Sequence, residues 1–316
     1  MDRVGARDEP GGALAVGCVG PGSMAWRING EVVGLLGWGR AILLQLAHPL
    51  VAAGVADHSR FAREPRGRLR RLRHTLDAML TLTYGSPAEV AAVAQHINAT
   101  HDRVHGVLRE AVGPFPAGTP YTAHDPHLLR WVHATFVDSA LRVYQLYVRP
   151  LSRAEQDQYC AEAATSGPLL GMPPGYLPAS AAALEAYLAA MLASGEIVVG
   201  ETARALARAL LAPLSPPLRP LEAFLYLPMV GLLPPAIREG YGLPWTPRHE
   251  RALAVSAAVV RRLLPLLPSA LRRWPAARAA EARGRRGWRA PGLPGQRWPP
   301  GGSLFGARLD RAVERQ

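Results

Sequence analysis

Residues 32–55 read VVGLLGWGRAILLQLAHPLVAAGV, an apolar run of membrane-spanning length interrupted by Arg40, Gln45, His48 and Pro49. Those groups would face lipid at heavy cost. The run is therefore expected to be a buried core helix, kinked near Pro49, with its polar side chains matched inside the protein. Membrane association through this run remains an alternative.

The rest of the chain supplies helices to surround it. Ser86-Pro87-Ala88-Glu89 combines an N-cap, a first-turn proline and a capping-box glutamate. Asp125-Pro126, Ser152-Arg153-Ala154-Glu155 and Thr246-Pro247 open further helices. The segments between carry apolar stripes of period 3.6, and none alternates convincingly with period 2. The expected fold class is all-α, one multi-helix domain over residues 21–275. Residues 1–20 are expected to be a flexible N-terminus and residues 276–316 a disordered Arg/Gly/Pro-rich tail.

The formal charge is +12, and all 36 basic residues are arginine, which fits a GC-rich coding bias better than a functional choice. Nine arginines against three acids fall between Arg278 and Gln316, so half the net charge sits there. That segment lacks regular aromatic or amphipathic spacing, so it reads as solvated rather than as a nucleic-acid surface; peripheral contact with an anionic membrane stays open. Two cysteines, Cys18 and Cys160, make neither a disulfide framework nor a CxxC metal pair. The first residues, MDRVGARDEPGG, do not read as a signal peptide, so a cytoplasmic location is expected.

The segment THDRVHG (100–106) places His101 and His105 four residues apart. It imitates HExxH, the zinc-protease helix, with Asp102 in the place of the general base. Asp102 is one methylene short, and the third-ligand position of the extended motif is Ala111, which binds no metal. On a helix begun at Ser86, residues Ala94, Ile97, His101, Val104 and Leu108 form the core stripe. His101 is then the most buried of His96, His101 and His105, with His105 on the flank. A buried imidazole needs a hydrogen-bond partner or a metal.

On the preceding helix Leu69, Leu72, Leu76 and Leu80 form an apolar stripe, and Arg71, His74 and Thr75 share a face beside it. By pattern alone this is a solvated arginine-rich face. Thr135, in the helix after Asp125, is expected to bond back to the carbonyl of Trp131.

Several segments in this order resemble one family: LLQLAHPLVAAGVADHSRF (43–61), RLRHT (71–75), THDRVHG (100–106), DPHLLRWVHATFVDS (125–139) and LLPPAIREGYGL (232–243). The family is the catalytic domain shared by the fungal oxygenase MpaB and the bacterial rubber oxygenase, or latex-clearing protein. The resemblance spans roughly residues 25–275. It implies an all-α fold with a globin-like core and a bound b-type haem. His101, with Val104 three residues on, matches the family's proximal iron ligand. Arg71 and Thr75 match its distal R-x-x-K-T motif, with His74 at the lysine position. Thr135 matches a threonine of the next helix. His48 is a competing candidate ligand. Arg71 would stabilise bound oxygen or pair with a haem propionate, while the distal surroundings decide the chemistry at iron.

The expected activity is a haem-dependent oxygenase or oxidase acting on a small or lipophilic organic molecule with O2 or peroxide. Two other classes compete: a zinc or non-haem metal hydrolase using His101 and His105 with Asp102 as base, and a non-catalytic, membrane-associated all-α protein.

Overall fold

A computed structural model describes residues 19–59, 65–212 and 216–285, and the side chains of these except at residues 65–71, 216, 284 and 285. The described residues up to Ala282 form one compact unit, whose architecture follows. The described residues contain fourteen α-helices: α1 (Met24–Asn29), α2 (Trp38–Leu46), α3 (Pro49–His58), α4 (Pro65–Tyr84), α5 (Pro87–His101), α6 (Pro126–Tyr147), α7 (Arg153–Ala164), α8 (Ala181–Ala193), α9 (Glu201–Leu210), α10 (Arg219–Gly231), α11 (Pro235–Tyr241), α12 (Pro247–Leu263), α13 (Ser269–Arg272) and α14 (Pro275–Arg285). The fold is all-α.

The four helix starts legible in the sequence are present. Ser86, Ser152 and Thr246 each accept a backbone N–H one turn into α5, α7 and α12, and the Asp125 carboxylate accepts the His127 amide at the start of α6. These caps satisfy N–H groups that a helix leaves without partners.

The apolar run of residues 32–55 is not one kinked helix. A 3-10 turn (Val32–Gly37) leads into α2, and α2 and α3 are separate helices meeting at a bend of 106°. Proline 49 explains the break. Its ring excludes the helical conformation at His48, which is extended at φ −84° and ψ 120°. His48 thereby becomes the N-cap of α3. No single helix among the described residues is long and apolar enough to cross a membrane.

Helix α6 runs through the centre. One side packs on α2, where Leu43, Leu44, Leu46 and Ala47 meet Trp131, and this core continues to Leu206 of α9 and Ile237 of α11. Its other side packs Ala134, Val137 and Leu141 against Met24 and Ile28 of α1, Cys160 of α7 and Leu184 of α8. At Gly37 an added Cβ would lie 3.0 Å from the Ser139 carbonyl, so the missing side chain lets the turn approach α6.

Arg40 is buried at this contact. Its guanidinium pairs with Asp138 at 2.6 Å, donates to the Ser139 hydroxyl at 2.7 Å and donates to the Leu232 carbonyl at 2.7 Å. One side chain thus ties α2 to α6 and to the end of α10.

Three expectations are corrected. Helix α5 stops at His101, so Val104 and Leu108 do not continue its stripe. Instead β1 (His105–Val107) pairs antiparallel with β2 (Pro120–Thr122), Gly106 opposite Tyr121. A Cβ at Gly106 would fall 2.6 Å from the Tyr121 hydroxyl, so glycine is needed for this close crossing. On α4 the stripe is covered only toward the C-terminal end: Leu80 is buried, whereas Leu72 is 38% exposed. The tail boundary set at residue 276 falls inside α14, where Ala277 and Ala280 are buried against Trp26, Leu80 and Tyr84. Residues 1–18, including Cys18, and residues 286–316 lie outside the described residues.

Replacing Asp138 by Ala would strand the Arg40 charge in the core. An equilibrium urea titration should then show a stability loss of about 3–5 kcal/mol. The double variant Arg40→Met, Asp138→Leu should regain most of it, because it leaves no buried charge to desolvate. A single-variant loss below about 1 kcal/mol, the range of an exposed pair, would refute this role for Arg40.

Candidate functional site

His101 is the last residue of α5, and Asp102 follows as its C-cap. The Asp102 carboxylate is engaged by His124 Nε2 at 2.7 Å. The His124 ring stands edge-on to His101, with centroids 5.8 Å apart and planes at 80°. His101 is half-buried, and its Nδ1 is buried without a hydrogen-bond partner among the described residues. Burial, then the neighbouring His124, pulls its pKa down against the opposing effect of Asp102. A ring so placed is neutral at pH 7 and keeps a lone pair for a ligand.

His101 is more buried than His96 and His105, as its position on the stripe implied. The paired-histidine reading meets a different geometry. His105 lies exposed on β1, beyond the helix end, and its backbone carbonyl engages His58 Nε2 at 3.0 Å. Asp102, the candidate base, is committed to His124. The two imidazoles do not share a helical face, and neither belongs to a three-residue metal-ligating group among the described residues.

The other candidates are distributed over several elements. The side chain of Arg71 lies outside the described residues. His74 is exposed on α4, and Thr75 beside it is half-buried. Thr135 is fully buried in α6; its hydroxyl donates to the Val132 carbonyl at 2.8 Å, not to that of Trp131, and accepts from Gln45 Nε2 at 3.2 Å. No hydrogen bond or ion pair among the described residues joins His101 to Thr135 or His48. His133 is half-buried, its Nε2 engaging the Ala163 carbonyl at 3.0 Å.

The sharpest polar cluster forms around His48. As N-cap of α3, its Nδ1 accepts the Leu50 amide at 3.3 Å. Its ring is fully buried, with the Phe115 ring 5.3 Å away. Its Nε2 is buried without a hydrogen-bond partner and lies 3.8 Å from the Glu196 carboxylate. The same carboxylate oxygen is engaged by His127 Nε2 at 2.9 Å. His48, His127 and Glu196 offer three ligand atoms within 4.8 Å of one another. Sequence pattern singled out His48 alone. No pattern marks His127, the second residue of α6, as a ligand, and Glu196 sits in the α8–α9 connection with no motif around it.

Just past Glu196 a cleft of about 380 Å³ is lined by apolar side chains, among them Ile197, Val199 and Ile237, with Arg204 at its edge.

A family model described as the ER-bound oxygenase mpaB/B'/rubber oxygenase catalytic domain matches residues 26–262. No curated protein and no solved structure matches the chain.

The His48 ring gives a pH signature. Burial outweighs the nearby Glu196 and pulls its pKa down to about 4, from 6.5 in the unfolded chain. As pH falls through 6.5 the unfolded chain takes up a proton that the folded chain refuses until about pH 4. Stability is thus full above pH 6.5 and declines between 6.5 and 4, by about 1.4 kcal/mol per pH unit at the steepest. His133, pulled to about 4 mainly by burial, adds a like slope in the same window. Urea titrations across pH 4–7 should show this decline. In His48→Gln it should be shallower by about one proton's worth; an unchanged slope would remove His48 from the account.

Proposed function

Because the chain belongs to the family of mpaB and rubber oxygenase catalytic domains, we propose that it is a haem b-dependent oxygenase acting on a small, lipophilic organic substrate with O2 or peroxide. Family membership makes it an oxygenase-type catalytic domain; the cofactor, its ligand and the substrate class are our reading.

One observation carries that reading. His101, at the position matching the family's proximal histidine, is a neutral imidazole whose buried Nδ1 has no partner among the described residues. A porphyrin brings four nitrogen donors of its own, so one imidazole from the protein would suffice to hold it. The donor set around His101 fits that demand. Asp102 is held by His124 and so is kept from competing for the iron.

His101 would hold the iron, and the group when bound would supply the oxidising chemistry. The chain's own residues bind, orient and exclude water. His124, anchored by Asp102, restricts rotation of the His101 ring. Arg71, His74 and Thr75 follow one another on α4, the helix packed against α5, where a cation and hydroxyl would steady an anionic group. Thr135 is held between Gln45 and Val132, which fits a role in fixing α6 against α2 better than contact with substrate.

Protein purified as expressed should show a Soret absorption band, and His101→Ala should lose most of it while keeping its helical circular dichroism. Haem retention equal to wild type in His101→Ala would remove His101 as the ligand. Absence of any porphyrin from wild-type protein, even after haem titration, would end the haem reading.

A further inference from the structure

We propose that His48, His127 and Glu196 form a second site, which binds a divalent transition-metal ion without a porphyrin. No hydrogen bond or ion pair among the described residues joins it to His101, and it does not depend on the haem reading.

Three elements bring the donors together. His48 caps α3 at the bend forced by Pro49. His127 is the second residue of α6, placed by Pro126 and by the Asp125 cap. Glu196 lies in the connection between α8 and α9, where its own amide donates to the Ser194 hydroxyl at 3.1 Å. The contacts span 69 residues for His127–Glu196 and longer separations in the chain for His48.

An unmet demand points to a ligand. His127 and Glu196 satisfy one another at 2.9 Å, but His48 Nε2 is 3.8 Å from the same oxygen, beyond hydrogen-bond reach. It is a polar atom in a fully buried ring with no partner, an arrangement proteins generally avoid. The ring is aimed at a carboxylate and a second imidazole, the donor types that a transition-metal ion takes.

The spacing suits such an ion. Zinc takes nitrogen and oxygen donors at about 2.0–2.2 Å in a tetrahedron, which separates neighbouring donors by somewhat more than 3 Å. The distances of 2.9 and 3.8 Å fall on either side of that separation. Small rotations of His127 and Glu196, both half-exposed, bring them to it. With Nδ1 accepting the Leu50 amide, the neutral His48 ring carries its proton on Nε2. For Nε2 to hold a metal that proton would move to Nδ1, which gives up the 3.3 Å cap bond and requires the ring to turn away from the Leu50 amide. Two imidazoles and one carboxylate leave a coordination position open to water, and the same set suits Zn(II) or Fe(II).

Zn(II) is the probe, because it is redox-inert and leaves a porphyrin spectrum readable. The full chain, treated with a chelator and dialysed, is titrated with Zn(II) by calorimetry, and bound metal is counted by mass spectrometry. The expected result is one Zn(II) per chain, with affinity reduced at least roughly tenfold in both Glu196→Gln and His127→Gln. Both substitutions lie at half-exposed positions, and circular dichroism checks that each variant is folded. His101→Ala should bind Zn(II) as wild type does. The proposal is overturned if wild-type protein binds none, if both cluster variants bind as wild type, or if His101→Ala abolishes binding. The Soret measurement is separate, so either site can fail without the other.

Discussion

A guanidinium buried in an apolar helix can be accommodated in few ways, and the arrangement around Arg40 is one of them. Its charge meets Asp138, and its remaining donors meet the Ser139 hydroxyl and the Leu232 carbonyl. Such a group tolerates little sliding, because each shift would leave a donor unpaired in a medium where that is costly. Helix α2 is thereby locked in register against α6. Trp131 Nε1 donates to the Leu44 carbonyl and Gln45 donates to Thr135, so α2–α6 bonding continues toward the end of α2. The next residues are Ala47 and His48, which therefore arrive at the start of α6 beside His127. The core ion pair and the polar cluster belong to one geometric chain.

Local features of this fold are legible in the sequence because their physics is local. A serine followed three residues later by glutamate closes a capping box with itself, and Ser86 and Ser152 do so where the pattern placed them. Arg40 and His48, polar groups in an apolar run, had to be buried and partnered, and they are among the most buried residues of the chain. The end of α5 was not legible. Val104 and Leu108 prolong the helical period, but the strand that replaces the helix there pairs with residues 120–122, with Tyr121 lying over Gly106. Those contacts are non-local, and periodicity carries no trace of them. Glu196 was invisible for the same reason, since nothing near it announces that residues 48 and 127 will meet it.

The break at Pro49 shows how a local rule acquires a larger effect. Read as a kink, the proline only bends a helix. In the fold it ends α2's run, makes His48 an N-cap and turns the chain through 106°. Without that turn the imidazole would sit mid-helix with no backbone amide to accept. The residue that looks like a defect in an apolar helix positions the cluster.

Two neutral histidines then compete as metal ligands, and the number of donors around each separates them. A bare ion draws most of its coordination from the protein, so it needs several side chains converging on one point. His48 stands in such a group, with a second imidazole and a carboxylate within 4.8 Å. Phe115 covers its ring on another side, which is crowded for a flat macrocycle. A porphyrin brings four nitrogens of its own and would need one imidazole from the protein. His101 stands that way, because its only acidic neighbour in sequence is drawn off by His124. Burial alone would rank His48 first, as the more enclosed ring. Donor count reverses that ranking for the proposed haem, and it matches each histidine to the kind of metal that its neighbours would complete.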